Sequence, residues 1–559
     1  MRRSALLPLL LSPFLAASAV RAEPLPGLLD RNTIEKARAE AHEQKLDAQA
    51  AVRRQAELLG YSKAQIDLAL TPAMVRTGSF RLTLKDGTQV EFPWYRTGFA
   101  ENRLANTDKA ISRDASGQAV RAETNKGGLR LHHGVFAEEV YALALKMDTK
   151  LATARDALGS QSFRGAKGGI GAGRVVKVGT QYQARHGDLV DPAAPVFDRA
   201  EMMRRFARSY RAGGGDVGPG LDIQAGDVNT KAPEMKALSE AYGSSERPSA
   251  GVSGKALMRK PDGAIDPKGG IEYRGVSTGE GVWMTARLAA RKEGLKLRGA
   301  TVVAQGWGEV GRAFGLAALR DGARLVGIQE VWNVGSQKVL GTLEVPGARP
   351  RPAAIKKWLT EVDALRASGA DLRTYQGGRF LAQLRQGADA SQLRADIVGV
   401  NALGGVLSES TVPAFLASGT HAGKRKIIVE GANLAETAAG ARLLDRHRDR
   451  LLAVPGDLAN LGGVHVSDLE AVQNLSGQPV SSASAYRSLL GTMRSGWNRA
   501  MKIAKTQNLS ERQSIELAAV DGMMKRSLHL AGAPRAALER RVLPRQAPGG
   551  TPRPAAPGR

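Results

Sequence analysis

Across residues 30–70 apolar side chains recur about every 3.6 positions, as at Ala48, Ala51, Val52, Ala56 and Leu59. That spacing predicts helix. Residues 79–93 alternate instead. Phe80, Leu82 and Leu84 lead into Asp86-Gly87, and Val90 and Phe92 follow, which predicts a hairpin with a tight turn. Helical spacing returns over 135–151 and 199–211, and the Gly-, Ser-, Pro- and Lys-rich stretch 243–272 predicts a loop. From Gly299 the pattern changes. Short apolar runs at 301–304, 325–328, 396–398, 427–429 and 451–454 are separated by helical stretches. This β-α-β alternation predicts an α/β fold with a parallel sheet covered on both faces. After Asn474 the chain reads as helix to about Leu530.

The first of these runs opens a dinucleotide loop. Gly306, Gly308 and Gly311 form G-x-G-x-x-G directly after a strand and at the start of a helix, with Glu309 and Val310 between them. Gly306 permits the tight turn, Gly308 lets backbone approach a pyrophosphate, and Gly311 allows close helix–strand packing. The second strand is expected to end at Glu330, where a carboxylate would accept hydrogen bonds from ribose hydroxyls. It would repel a 2′-phosphate, so NAD is favoured over NADP.

Composition narrows the chemistry. With no Cys among 559 residues, a disulfide framework, a Cys-ligated metal and a thiol nucleophile are all excluded. The net charge of +26 suggests a polyanionic partner. However, +3 of it falls in residues 1–22 and +5 in residues 532–559. Aromatic residues are only 5%, and no basic motif is interleaved with aromatics, so no specific nucleic-acid partner is expected. Residues 1–22 carry Arg2 and Arg3, an apolar stretch, and small residues at Val20 and Ala22, the pattern of an export signal. The Pro- and Arg-rich tail lacks the apolar residues needed for a core. No segment is long and apolar enough to span a membrane. His132 and His133, adjacent on a strand, would point to opposite faces, and no metal site is expected.

A lysine cluster supplies the remaining chemistry. K-G-G-L-R at 126–130 is followed by Lys150, G-A-K-G-G at 165–169 and A-G-D at 225–227. Further along come S-T-G-E-G at 277–281, E-G-A-N at 430–433 and L-A-N-L-G-G-V-H-V-S at 458–467. In this order the motifs resemble the glutamate/leucine/phenylalanine/valine dehydrogenase family. The resemblance implies a substrate domain, a Rossmann-type dinucleotide domain, and C-terminal helices that return to the first. It divides the chain into a signal (1–22), a helical segment (23–71), the substrate domain (72–272), the dinucleotide domain (273–475), C-terminal helices (476–531) and the tail (532–559). It further implies a homo-oligomer, a hexamer in many members, acting on an L-amino acid and its 2-oxo acid by hydride transfer to the nicotinamide.

The resemblance also implies residue roles. Lys150 would bind the α-carboxylate, Lys167 would be the catalytic lysine and Asp227 the general acid/base. Thr278 and Asn433 would lie near the nicotinamide and the substrate. Lys126 and Ser467 match the members that use glutamate, and a buried Lys126 without an anionic partner would demand an acidic side chain. The alternatives are a branched-chain or aromatic amino-acid dehydrogenase, and a non-catalytic exported homologue that binds an amino acid or nucleotide. Arg164, Gln224, Trp307, Glu309 and Val400 depart from the family pattern. Glu309 places a negative charge near the pyrophosphate, although a helix N-terminus favours it.

Export to the periplasm predicts a mature chain starting at Glu23, seen by N-terminal peptide mass spectrometry of the periplasmic fraction. An uncut chain in the cytoplasmic fraction contradicts it.

Overall fold

The computed structural model describes residues 23–530 apart from 101–111, 114–118, 121–122, 159–162, 219–220, 244–248, 250, 346–351, 375–383, 387–388 and 403. The expected signal and tail lie outside the described residues.

The first helical stretch forms α1 (Arg31–Leu58) and α2 (Lys63–Leu70). Asp30 caps α1 by accepting from Thr33 N–H, and Ser62 and Gln65 form a reciprocal capping box on α2. The expected hairpin is β1 (Met74–Thr83) and β2 (Gln89–Gly98), turning at Gly87 with φ of +88°. Both strands run past the alternating stretch. The alternation fades in β2 because Arg96 is itself fully buried, held by a bidentate pair with Asp222.

β3 (Thr124–Leu131), β4 (Phe163–Ile170), β5 (Gly173–Lys177) and β6 (Asp222–Gly226) complete this sheet in the order β6-β3-β4-β2-β5, with β1 beside β2. The short strands Leu189–Val190 and Leu28–Leu29 extend its far edge. β6, β3 and β4 are mutually parallel. α3 (Ala137–Leu158) connects β3 to β4. α4 (Arg199–Ala212) and α5 (Ala232–Tyr242) bury Met202, Met203, Phe206, Tyr210 and Leu238 in one core with the sheet.

α6 (Arg274–Lys292) leads to the second sheet. It contains β7 (Thr301–Gln305), β8 (Arg324–Val334), β9 (Gln337–Glu344), β10 (Leu384–Gln386), β11 (Ile397–Val400), β12 (Lys426–Glu430) and β13 (Leu451–Val454). The order is β10-β9-β8-β7-β11-β12-β13, and β8 through β13 in that order are parallel. The winding reverses between β7 and β11, which opens a crevice at the carboxyl ends of these strands. α7 (Glu309–Arg320), α8 (Pro352–Ser368), α9 (Thr411–Ser418) and α10 (Ala438–Arg446) lie between the strands, and two separate apolar cores cover the sheet.

The parallel sheet also carries an antiparallel edge, and the expected end of its second strand needs correcting. β8 does not end at Glu330. It continues to Val334, turns at Gly335, and returns antiparallel as β9, which pairs with β10. These edge strands leave Val331 and Leu340 exposed while burying Trp332 and Leu343. Such a mixed pattern lacks the continuous apolar run of a central strand.

α11 (Gly456–Ala459), α12 (Gly462–Ser476), α13 (Ser482–Gln507) and α14 (Glu511–Leu530) close the chain. α14 does return to the first sheet's side. Its Leu517, Val520, Met523 and Leu528 share a core with Val52, Ile66 and Tyr141. A buried ionic cluster fastens it there. Asp148 on α3 accepts 3.0 and 2.9 Å bonds from Arg164 Nε and Nη2, and a 3.3 Å bond from Arg526 Nη2 on α14. The unusual Arg164 therefore has a structural role. Asp148→Asn strips two buried guanidiniums of their shared anion. It should destabilise the fold by about 3–5 kcal/mol, read as a fall in the denaturant midpoint. An unchanged midpoint contradicts this.

Candidate active site

β3, β4 and β6 run side by side and parallel, so their residues share one region of the cleft. Lys126, Gly128 and Arg130 alternate onto one face of β3. Asp227 follows β6 directly, and Gly128 lies so close to it that a Cβ at 128 would sit 2.8 Å from the Asp227 Cβ. Lys167 Nζ on β4 lies 2.6 Å from Asp227 Oδ2. Arg130 Nε reaches the same oxygen at 3.3 Å, and Arg130 also pairs with Glu139 of α3.

The electrostatics follow from this packing. Burial lowers the Lys167 ammonium, with Asp227 pulling it up and Arg130 pushing it further down. Burial alone would raise the Asp227 carboxyl, but Lys167 and Arg130 hold it well below the usual carboxylate range. The glycines beside the lysines allow strand to pack on strand and β4 to pack on α3. A Cβ at Gly127 would fall 1.5 Å from Ala166 O, and one at Gly165 would fall 2.2 Å from Asp148 N.

Lys150, on α3, crosses to the second sheet, where its Nζ donates to Asn433 Oδ1 in the loop after β12. Its ammonium is lowered to about 7, first by burial and then by the neighbouring charge of Lys146. One turn earlier, Lys146 Nζ lies 2.5 Å from Asp457 on α11, which also accepts a 2.6 Å bond from Thr149. Lys146, Lys150 and Asn433 thus face each other across the junction of the two sheets.

The Lys126 pocket differs from expectation. Lys126 Nζ donates to Ser467 Oγ at 2.7 Å and to Ser253 Oγ at 3.4 Å. It is not without an anionic partner. Asp468 Oδ1 lies 3.4 Å away, on the same helix as Ser467. The charge of Lys126 is compensated within the chain and does not by itself demand an acidic substrate. Neither Asp468 oxygen accepts a hydrogen bond from a described residue, and burial pushes this carboxyl up to about 6 against Lys126 and Arg274. Arg274, at the start of α6, lies beside Gly463 and Thr278, and its Nε has no partner among the described residues. Gly462 and Gly463 press against Ser277 and Thr278, which locks α12 onto α6 at this point.

The dinucleotide loop has the expected form. Gly306 adopts φ of +84°, and a Cβ there would meet Ala402. A Cβ at Gly311 would lie 1.9 Å from Gly306 O. Gly308 caps α7 and has open space above it, so a phosphate can approach the N–H groups of the first turn. Glu309 is the exposed first residue of that helix, while Val310 contributes its backbone to the contact with Gly279. Glu330 Oε2 accepts from Trp307 N–H and from Arg366, both at 2.9 Å. Glu330 thus lies beside the loop, as a ribose-binding carboxylate must. The loop, the open Gly308 and this acid together fit a dinucleotide.

The histidine reading also changes. His132 and His133 lie beyond the end of β3, and their rings stack with centroids 4.2 Å apart instead of facing opposite ways. Sequence reasoning missed Arg130, Glu139, Arg274, Ser253 and Asp468. The two-residue period from Lys126 to Arg130 could have found the first of these.

A family model described as glutamate/leucine/phenylalanine/valine dehydrogenase matches residues 269–529. The chain is 28% identical over 397 residues to glutamate dehydrogenase B of Halobacterium salinarum, covering 71% of this chain and 78% of that one. It is 27% identical over 508 residues to the cryptic catabolic NAD-specific glutamate dehydrogenase of Bacillus subtilis, covering 89% and 98%. The fold matches the crystal structure of glutamate dehydrogenase from Peptoniphilus asaccharolyticus with a TM-score of 0.62 at 23% identity, over 88% of this chain and 99% of that one. The chain is thus similar to the glutamate/leucine/phenylalanine/valine dehydrogenase family, by the family model over residues 269–529 and by these relatives over most of its length.

Proposed function

We propose that the protein catalyses reversible NAD-dependent oxidative deamination of an L-amino acid, with glutamate favoured, to the 2-oxo acid and ammonia. The observation that carries this reading is the buried Lys167–Asp227 pair, 2.6 Å apart, with Lys150 nearby and a dinucleotide loop across the cleft. The relatives named as NAD-specific glutamate dehydrogenases support the cofactor and the substrate.

Lys150 binds the substrate α-carboxylate, and Asn433 orients its ammonium. Gly306, Gly308 and Gly311 with the first turn of α7 hold the pyrophosphate, and Glu330 holds the adenosine ribose. Bound there, the nicotinamide would supply the acceptor for the hydride on Cα. Water then adds to the resulting imine carbon. Lys167, its ammonium lowered by burial, accepts a proton from that water. Asp227 takes a proton from the substrate ammonium before the hydride leaves and returns it to the carbinolamine nitrogen; this leaves as ammonia while the hydroxyl proton passes back to Asp227 and the carbonyl forms. Its contact with Lys167 must loosen as substrate enters, because a carboxyl held this low does not otherwise take up a proton. Arg130 keeps Asp227 aimed at the site throughout this exchange.

We also propose a homo-oligomer. Its support is the exposure of Leu46, Leu58, Leu68 and Val75 on α1, α2 and β1, and a Thermus thermophilus relative described as hetero-hexameric.

Asp227→Asn should lower kcat by about 10²–10⁴ while leaving the affinity for reduced nicotinamide nucleotide unchanged, read by steady-state kinetics and fluorescence titration. Turnover at the wild-type rate would overturn the mechanism.

A further inference from the structure

Asp468 has no part in the mechanism above, yet it stands beside two groups expected to grip the substrate side chain. It is 1% exposed, 3.4 Å from Lys126 Nζ, and adjacent in sequence to Ser467. A buried carboxylate is normally satisfied by several hydrogen bonds. Among the described residues this one has only the 3.4 Å ion pair of its Oδ1 with Lys126, and its Oδ2 accepts no hydrogen bond. A substrate carboxylate gripped by Lys126 would therefore compete with it. Two carboxylates on one ammonium cannot both stay ionised without a large penalty.

Taking the amino-acid dehydrogenase reading as its basis, we propose that Asp468 is a specificity-determining residue. Its carboxylate competes with a substrate side-chain carboxylate for Lys126, so a dicarboxylate enters only as Asp468 takes up one proton. An amino acid with a neutral side chain enters without that proton.

The surroundings support this assignment. Lys126 of β3 and Arg274 of α6 are the described charged groups that act on Asp468. On its own helix, Glu470 is engaged elsewhere, accepting from Gly254 and Lys255 N–H and pairing with Lys255. His465 faces α13, against Ser488 and Thr492. The α3 and α13 helices, also packed on α12, present no described charge that acts on it.

The sign of the effect follows directly. In the empty pocket Asp468 ionises at about 6. A second carboxylate raises it further, so binding is linked to proton uptake. Above about pH 6, dicarboxylate affinity should therefore fall by up to about tenfold per pH unit. Lys150 loses its proton near 7 and weakens α-carboxylate binding for every substrate, so it cancels when two ligands are compared.

The test is calorimetric titration of the full chain with reduced nicotinamide nucleotide present and ammonia absent. It is run near pH 7.5 in buffers of different ionisation enthalpy, with 2-oxoglutarate and with 2-oxobutyrate. The expected result is about one more proton taken up with 2-oxoglutarate than with 2-oxobutyrate. In Asp468→Asn that difference should vanish, and 2-oxoglutarate should bind about tenfold more tightly. Equal proton uptake by both ligands in the wild type would overturn the proposal, whatever the variant does. Failure of both ligands to bind would overturn the amino-acid dehydrogenase reading as well, and the two failures are thereby distinguished.

Discussion

The contact between Lys167 and Asp227 is the constraint on which the rest of the site depends. Each charge is buried, and each would be costly alone. Together they persist because β4 and the end of β6 are both held against β3, and because Arg130 and Glu139 extend the pair into a four-membered cluster. The same burial that makes the cluster expensive favours the neutral form of the lysine, the form that accepts a proton. Stability and reactivity therefore arise from one arrangement.

The junction between the two sheets is polar. Lys146 meets Asp457, Lys150 meets Asn433 and Lys126 meets Ser467, each pairing a residue of the first sheet's side with one from the second. Behind them, Arg512 of α14 binds Glu436, Asp445 and Glu516. Burial pushes Glu436 up to about 7 and Glu516 up to about 8. A small apolar cluster, Leu151, Phe163 and Ile223 against Ala471 of α12, joins these polar contacts.

Much of this was legible in the chain. Apolar runs located the five parallel strands, and G-x-G-x-x-G located the nucleotide loop, because turn geometry and helix packing demand glycine there. The Lys167–Asp227 pair was legible only through family motifs, since the two residues are 60 positions apart and meet through parallel strand pairing. The antiparallel edge after Glu330 was not legible, because half-exposed strands carry mixed polarity. Asp468 was not legible either. An acid inside a helix ordinarily faces solvent, and its burial against Lys126 depends on how α12 crosses α6.

The central claim is direct removal of hydrogen from Cα of an amino acid held between Lys150 and the Lys167–Asp227 pair. It is tested by incubating the protein with NAD and L-glutamate deuterated at Cα, then weighing the reduced cofactor by mass spectrometry. One deuterium in the reduced nicotinamide, matched by an equal amount of 2-oxoglutarate, is the predicted result. Reduced cofactor without deuterium, or none formed while glutamate binds, would contradict the account.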